Sequence, residues 1–280
     1  MTTSSSSRST GKHIVLYALL LLVLLWTLVP ILWMILSSFK PGVAQLSPTP
    51  VFIFKPTLQH YVALFTGGNL GAYFLHSVLA AGISTIIAVS LGCLAGYGLA
   101  RSHFRGKQHV AFWIISTRMA PIAAVVLPLF ILFRYINLLD SISGLIVAYL
   151  TFNLPFAIWI MNAFFTDLPP SLEEAATVDG ASRFQAFYRV ALPLVTPGIV
   201  TTAILCLVFS WNDYAFAATF AGPNSQTLPI AASQLNTQTG LSWGQLTAIG
   251  TIVVLPMMIV GLAVRRYLVK GLTLGAVTGE

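Results

Sequence analysis

Residues 171–193 read SLEEAATVDGASRFQAFYRVALP. This stretch carries five of the chain's 21 acidic and basic residues, yet it lies between two long apolar runs. Pro169-Pro170 end the run before it, and Pro193 turns the chain toward the run after it. Ser171-x-x-Glu174 has the pattern of a capping box, in which the serine side chain accepts from a free amide and the glutamate reaches back. A short helix over Leu172 to Val178 follows from it. Asp179-Gly180 supplies a residue free to take positive φ, which suits a helix end. Ser182-x-x-Gln185 repeats the capping pattern, so a second helix is expected from Arg183 to about Leu192. The first helix presents Leu172, Ala175, Ala176 and Val178, and the second Phe184, Phe187, Tyr188 and Val190. Helices this short are marginal alone in water, so the pair needs a surface to pack on.

The rest of the chain fixes the solvent. Of its 280 residues 57% are hydrophobic and 8% charged, against about 25% charged in soluble domains. Mean hydropathy is +0.87. Such a chain lacks the charge to cover a water-facing surface and reads as a polytopic membrane protein. Backbone polar groups must be satisfied internally in lipid, so the apolar runs are expected as helices and the fold class as all-α. Six spans are expected: 14–36, with a kink at Pro30, then 72–100, 110–133, 143–165, 196–220 and 246–264. Residues 1–13 read as a disordered tail, 170–193 as the loop quoted above, and 265–280 as a second tail. Gly92 and Gly96 in the second span have the spacing that lets two membrane helices approach closely.

Orientation follows from Lys and Arg in the loops. With the N-terminus in the cytoplasm, the inside holds Arg8, Lys12, Arg101, Arg105, Lys107, Arg183, Arg189, Arg265, Arg266 and Lys270. The outside holds only Lys40, Lys55 and Arg134. Both termini and the quoted loop are therefore expected in the cytoplasm of a multi-pass protein of the cell membrane. The net charge of +7 is accounted for by this bias, and nucleic acid is not an expected partner. Cys93 and Cys206 lie inside apolar runs without metal-ligand spacing and read as small buried residues. No metal site is expected.

Glu174-Ala175-Ala176-x3-Gly180-x9-Val190-x-Leu192-Pro193 resembles the EAA motif of permeases in ATP-binding-cassette importers, with valine in place of isoleucine at 190. Ser210-Trp211-Asn212-Asp213 and the tail Gly271-Leu272-Thr273-Leu274-Gly275-Ala276-Val277 look like the maltose-type family, and in particular its six-span partner. The resemblance implies an EAA-type coupling helix–turn–helix, with Glu174, Ala175, Ala176, Gly180, Val190, Leu192 and Pro193 facing an ATPase. It also implies a tail contact to that ATPase through Gly271, Leu272 and Gly275. The implied partners are a second homologous permease, an ATPase pair that binds ATP and Mg, an extracytoplasmic binding protein, and a sugar or polyol. No cofactor is expected on this chain, which carries no GxxxxGK[ST]. No catalytic residue is expected either, because HExxH, GxSxG and paired carboxylates within a span are missing from the sequence.

Charged and polar residues within spans are pathway candidates. These are Arg118 in the third span, Asn153 in the fourth, and Trp211, Asn212, Asp213 and Tyr214 in the fifth. Arg118 and Asp213 either pair across the bundle or line the pathway separately. Asn153 either meets a sugar hydroxyl or joins helices. Residues 221–244 form a polar outer loop, in the position from which the family reaches its binding protein. The competing class is an ion-coupled secondary transporter, for which only Asp213 qualifies as an intramembrane acid.

Overall fold

A computed structural model describes residues 6–45, 47–237 and 240–274. Its elements are α1 (Ser6–Ser38), α2 (Gly42–Gln45), α3 (Gln59–Gly67), α4 (Leu70–Arg101), α5 (Lys107–Ser116), α6 (Ile122–Tyr135), α7 (Ile142–Asp167), α8 (Ser171–Val178), α9 (Arg183–Ala186), α10 (Leu192–Leu194), α11 (Thr196–Trp211), α12 (Ala215–Phe220), α13 (Leu228–Ser233) and α14 (Trp243–Leu274). Two-residue strands β1 (Asn236–Thr237) and β2 (Gly240–Leu241) pair antiparallel before α14. Among the described residues four helices are long and apolar enough to cross a membrane, or up to six if each of two bent pairs counts as one span.

The chain divides into two compact units, residues 1–68 with 235–254, and residues 69–234 with 255–280. In the first unit α1 leaves its apolar side chains uncovered, Trp26 at 81% exposure among them. A face of this kind is stable only where the surrounding solvent is itself apolar. The Ser38 hydroxyl pairs with that of Tyr61 at 2.7 Å, which ties the end of α1 to α3. In α14, Gly244 lies against the His60 ring, and a Cβ there would meet it at 2.1 Å.

The second unit is built around α4 and α7. Both bury small residues on the facing side: Ala80, Ala81, Ser84, Ala88 and Gly92 on α4, Gly144, Ala148 and Ala157 on α7. Gly92 and Gly96 are where the helices come closest. A Cβ on Gly92 would lie 2.6 Å from the Ala157 Cβ, and one on Gly96 would lie 2.7 Å from the Asn162 amide nitrogen. The two-glycine spacing thus acts as the sequence reading expected, through backbone approach. A core of Ala88, Val89, Cys93, Phe156, Met161, Phe165, Phe187, Ala191 and Cys206 joins α4, α7 and α11 to the quoted loop. Cys93 and Cys206 are free and buried.

Several expectations need correction. Residues 6–13 are not a disordered tail but the first turns of α1, since extending a formed helix costs little, and α1 continues through Pro30. The stretch expected as one span over 110–133 is two helices meeting at 87°. Ala120 is extended before Pro121, because a proline disfavours helical φ/ψ in the residue it follows. The stretch expected as one span over 196–220 stops at Trp211 and restarts at Ala215. Where α10 meets α11 the chain bends by 72°. The helix expected over 246–264 runs on to Leu274, so the stretch expected as a tail after 264 begins as helix.

Candidate functional site

The loop quoted first forms two short helices. α8 starts one residue earlier than the capping pattern implied. Pro170 already has helical angles (φ −58°, ψ −28°), no side chain caps the helix, and Ser171 sits in the first turn. The Ser171–Glu174 box is therefore not made, and Glu174 is exposed. The end of α8 is a Schellman motif: the Gly180 amide donates to the Thr177 carbonyl and the Ala181 amide to the Ala176 carbonyl, with Gly180 at φ +91°. The second capping box forms, with reciprocal bonds between Ser182 and Gln185. From Phe187 to Ala191 the helix widens into a π turn before α10.

The rings of this second helix divide between core and surface. Phe187 is buried against Tyr97 and Phe165, not presented outward as the helical spacing implied. Phe184, Tyr188, Val178 and Leu172 remain outside, at 72%, 62%, 87% and 43% exposure. The two helices thus leave four apolar side chains uncovered along with exposed Glu174 and Ala175, with Ala176 half-buried. Val190 and Leu192 are half-buried and Pro193 is exposed.

An unexpected group anchors this loop. Glu173, at 8% exposure, accepts from Arg101 Nε at 2.9 Å and Nη2 at 2.6 Å and from the Tyr97 hydroxyl at 2.5 Å. Arg101 also donates to the carbonyls of Phe165 (2.8 Å) and Leu168 (3.0 Å). One guanidinium thus joins the end of α4, the end of α7 and the first turn of α8. The signal available in the sequence was the doubled acid Glu173-Glu174, of which the reading singled out only the second.

Arg118 and Asp213 line one cavity of about 250 Å³ together with Thr117, Thr151, Phe152 and Phe209. They make no ion pair; among the described residues the only one is Arg101–Glu173. The Arg118 guanidinium packs against the Phe156 and Phe209 rings, 4.4 and 4.3 Å from their centroids, which themselves meet edge to face, an arrangement that holds a cation without a carboxylate. Asp213 accepts from the amides of Phe216 (3.5 Å) and Ala217 (3.0 Å) and from the Tyr149 hydroxyl, so it starts α12 where the span breaks. Asn153 is fully buried. Its Nδ2 donates to Ser210 Oγ at 2.7 Å, and Ser210 Oγ lies 3.3 Å from Ser84 Oγ, so Asn153 joins α7 to α11 and is not part of the Arg118–Asp213 cavity wall. Trp211 is buried edge-on to Phe74. Asn212 is exposed and donates to the Val208 carbonyl, and Tyr214 is half exposed. Gly275, and the surroundings of Gly271 and Leu272, lie outside what is described.

At the opposite end of the second unit, Asp140 ties two loops together. Its carboxylate accepts from the amides of Gly222 and Asn224, from Asn224 Nδ2 and from the Ser225 hydroxyl, at 2.8–3.0 Å. Burial alone raises this carboxyl, but the bonds from Ser225, Asn224 and Gly222 outweigh it and hold the group below the usual carboxylate range.

Residues 88–274 match the family described as the binding-protein-dependent transport system inner membrane component. The chain is 34% identical to a probable ABC transporter permease protein, y4oR, of Sinorhizobium fredii, over 98% of both chains. It is 37% identical to the trehalose transport system permease protein SugB of Mycobacterium tuberculosis, over 92% of this chain and 95% of that one. A crystal structure of a bacterial ABC transporter that imports the acidic polysaccharide alginate superposes with a TM-score of 0.75 at 24% identity, covering 95% of this chain and 99% of its counterpart.

Proposed function

The chain belongs to the family of binding-protein-dependent transport inner membrane components, and from that premise we propose that it is the permease subunit of an ATP-driven importer of a sugar or polyol, driven through the helix pair α8–α9. The observation that carries this reading is an apolar face, Leu172, Val178, Phe184 and Tyr188, left uncovered on a loop whose base is fixed by Arg101 and Glu173. A loop both rigid at its base and bare at its face is suited to receive a moving partner and pass the movement on. The partner is an ATPase pair, which binds ATP and Mg; this chain supplies half of the membrane pathway and a second permease the other half. The helix pair faces the cytoplasm, as do both termini. An extracytoplasmic binding protein delivers the substrate at the far side. The sugar or polyol class is supported by relatives named for trehalose, and for trehalose and maltose in Thermococcus litoralis.

Within the second unit the cavity of Arg118 and Asp213 is the candidate for this chain's share of the pathway. Its donors and aromatic walls suit a polyhydroxylated solute: guanidinium and hydroxyl groups bind oxygens, and the Phe152 and Phe209 rings offer apolar faces to C–H groups. The test is co-expression with the ATPase and permease encoded alongside, followed by affinity purification through this chain. Native protein is expected to retain the ATPase, and Val178→Asp with Tyr188→Asp to lose it while keeping the second permease. Retention of the ATPase by that double variant would contradict the reading.

A further inference from the structure

Lys40 is an ammonium buried in the first unit without a counter-charge. Its residue is 3% exposed, and its Nζ lies 3.7 Å from the Trp33 ring centroid and 5.7 Å from that of Phe54. Residues 1–68 and 235–254, which make up this unit, contain no aspartate or glutamate at all. The Trp33 ring attracts the ammonium through its face, and any anion that completes its surroundings comes from outside the unit. Lysines near helix ends ordinarily extend to water along an apolar stem, but this one turns inward over Trp33. It faces a cavity of about 260 Å³ whose wall also carries Ser37, Ser47, Thr49 and Trp243. The loop that holds it is fixed from behind, since the Lys40 carbonyl accepts from His60 Nε2 at 2.8 Å.

Two further observations define the shape of the occupant. Pro30 and Trp33, in the cavity wall, also line two almost wholly apolar grooves along α1, one with Leu22, Leu25, Trp26 and Val29 and the other with Leu32 and Leu36. The Lys40 cavity thus shares wall residues with surfaces that take hydrocarbon. Depth agrees as well. The 23-residue apolar run 14–36 rises about 34 Å at 1.5 Å per residue, enough for a hydrocarbon core of roughly 30 Å. Lys40 follows it by a few residues, which is the layer where lipid phosphates lie.

We propose that Lys40 and its cavity hold the phosphate of a phospholipid in the leaflet at the C-terminal end of α1, with the acyl chains along the Trp26 and Leu32 grooves. The chemistry required is a phosphate anion joined to long alkyl chains.

The test is native mass spectrometry of the full-length chain, delipidated in neutral detergent and titrated with two lipids having the same tails. Phosphatidylglycerol carries a phosphate; monogalactosyl diacylglycerol does not. Native protein is expected to hold one phosphatidylglycerol in preference to the galactolipid. Lys40→Arg should keep that preference, and Lys40→Met should weaken it about fivefold or more. Equal retention of both lipids by native protein overturns the proposal, even if Lys40→Met fails to fold. So does displacement of the lipid by millimolar inorganic phosphate, which would make this a site for a free anion. So does unchanged phosphatidylglycerol preference in Lys40→Met, which would show that the ammonium does not hold the phosphate.

Discussion

Arg101 holds Glu173 through two nitrogens, Nε at 2.9 Å and Nη2 at 2.6 Å, and so fixes the first turn of α8 to the end of α4. Both side chains are mostly covered, at 19% and 10% exposure. Removing one member of such a pair strands the other charge away from water, a loss of roughly 3 kcal/mol. Arg101→Ala and Glu173→Ala are each expected to lower the unfolding temperature in detergent. The double variant should lose less than the sum of the two, and a strictly additive cycle would show that the pair is not coupled.

Gly96 is expected to tolerate nothing larger. A Cβ there would lie 2.9 Å from the Met161 Cβ as well as against the Asn162 amide. Gly96→Val should cost about 1–3 kcal/mol through separation of α4 from α7. Gly98 has open space around it, so Gly98→Ala is the control and should leave the unfolding temperature unchanged or slightly raised.

Asp213 separates folding from transport. Asp213→Ala removes the acceptor for the Phe216 and Ala217 amides and should cost about 1 kcal/mol. Asp213→Asn keeps one acceptor oxygen, enough for the closer Ala217 amide, so it should cost less stability than alanine, yet alter uptake by placing an amide in the cavity shared with Arg118. Uptake by Asp213→Asn equal to native in rate and substrate preference would remove this cavity from the pathway.

Asp140 predicts a dependence on pH. Its carboxyl is held below the usual range, so its contribution to stability is complete above the unfolded value of about 3.9. It is lost as pH falls from there through the lower, folded value. Melting curves between pH 6 and pH 3 should show the native chain losing more stability than Asp140→Asn in that acid window, with parallel slopes above it. Parallel slopes throughout would show that the Gly222–Ser225 bonds do not discriminate the ionised form.

Sequence reading reached the helix pair because its signals are local: a serine-glutamine cap, a glycine free to turn left-handed, and an apolar spacing. It expected a close helix approach at Gly92 and Gly96, because small residues at that spacing share one helix face, but not that α7 is the helix that meets them. It missed the break at Ala120-Pro121, where hydropathy continues across a backbone that bends. It missed the inward turn of Phe187, which packs on Tyr97 and Phe165 from two other helices, a contact that local spacing does not reveal. The Arg101–Glu173 pair was out of reach for a different reason. Its members are 72 residues apart, and only packing decides which of two adjacent glutamates is buried. Arg118 and Asp213 were identified as rare intramembrane charges, but that they share a cavity without pairing is a fact of three dimensions.

The central claim is that α8 and α9 couple ATP hydrolysis to movement of the spans, and the ATPase rate of the assembled importer in lipid tests it most directly. Gly180→Pro is informative because proline cannot adopt φ +91° and removes the amide that donates to Thr177; Glu174→Lys reverses the exposed charge on the same face. The native complex should be stimulated by binding protein with its sugar, and both variants should assemble yet lose that stimulation. Full stimulation in both variants, or purification of the chain without any ATPase, would contradict the account.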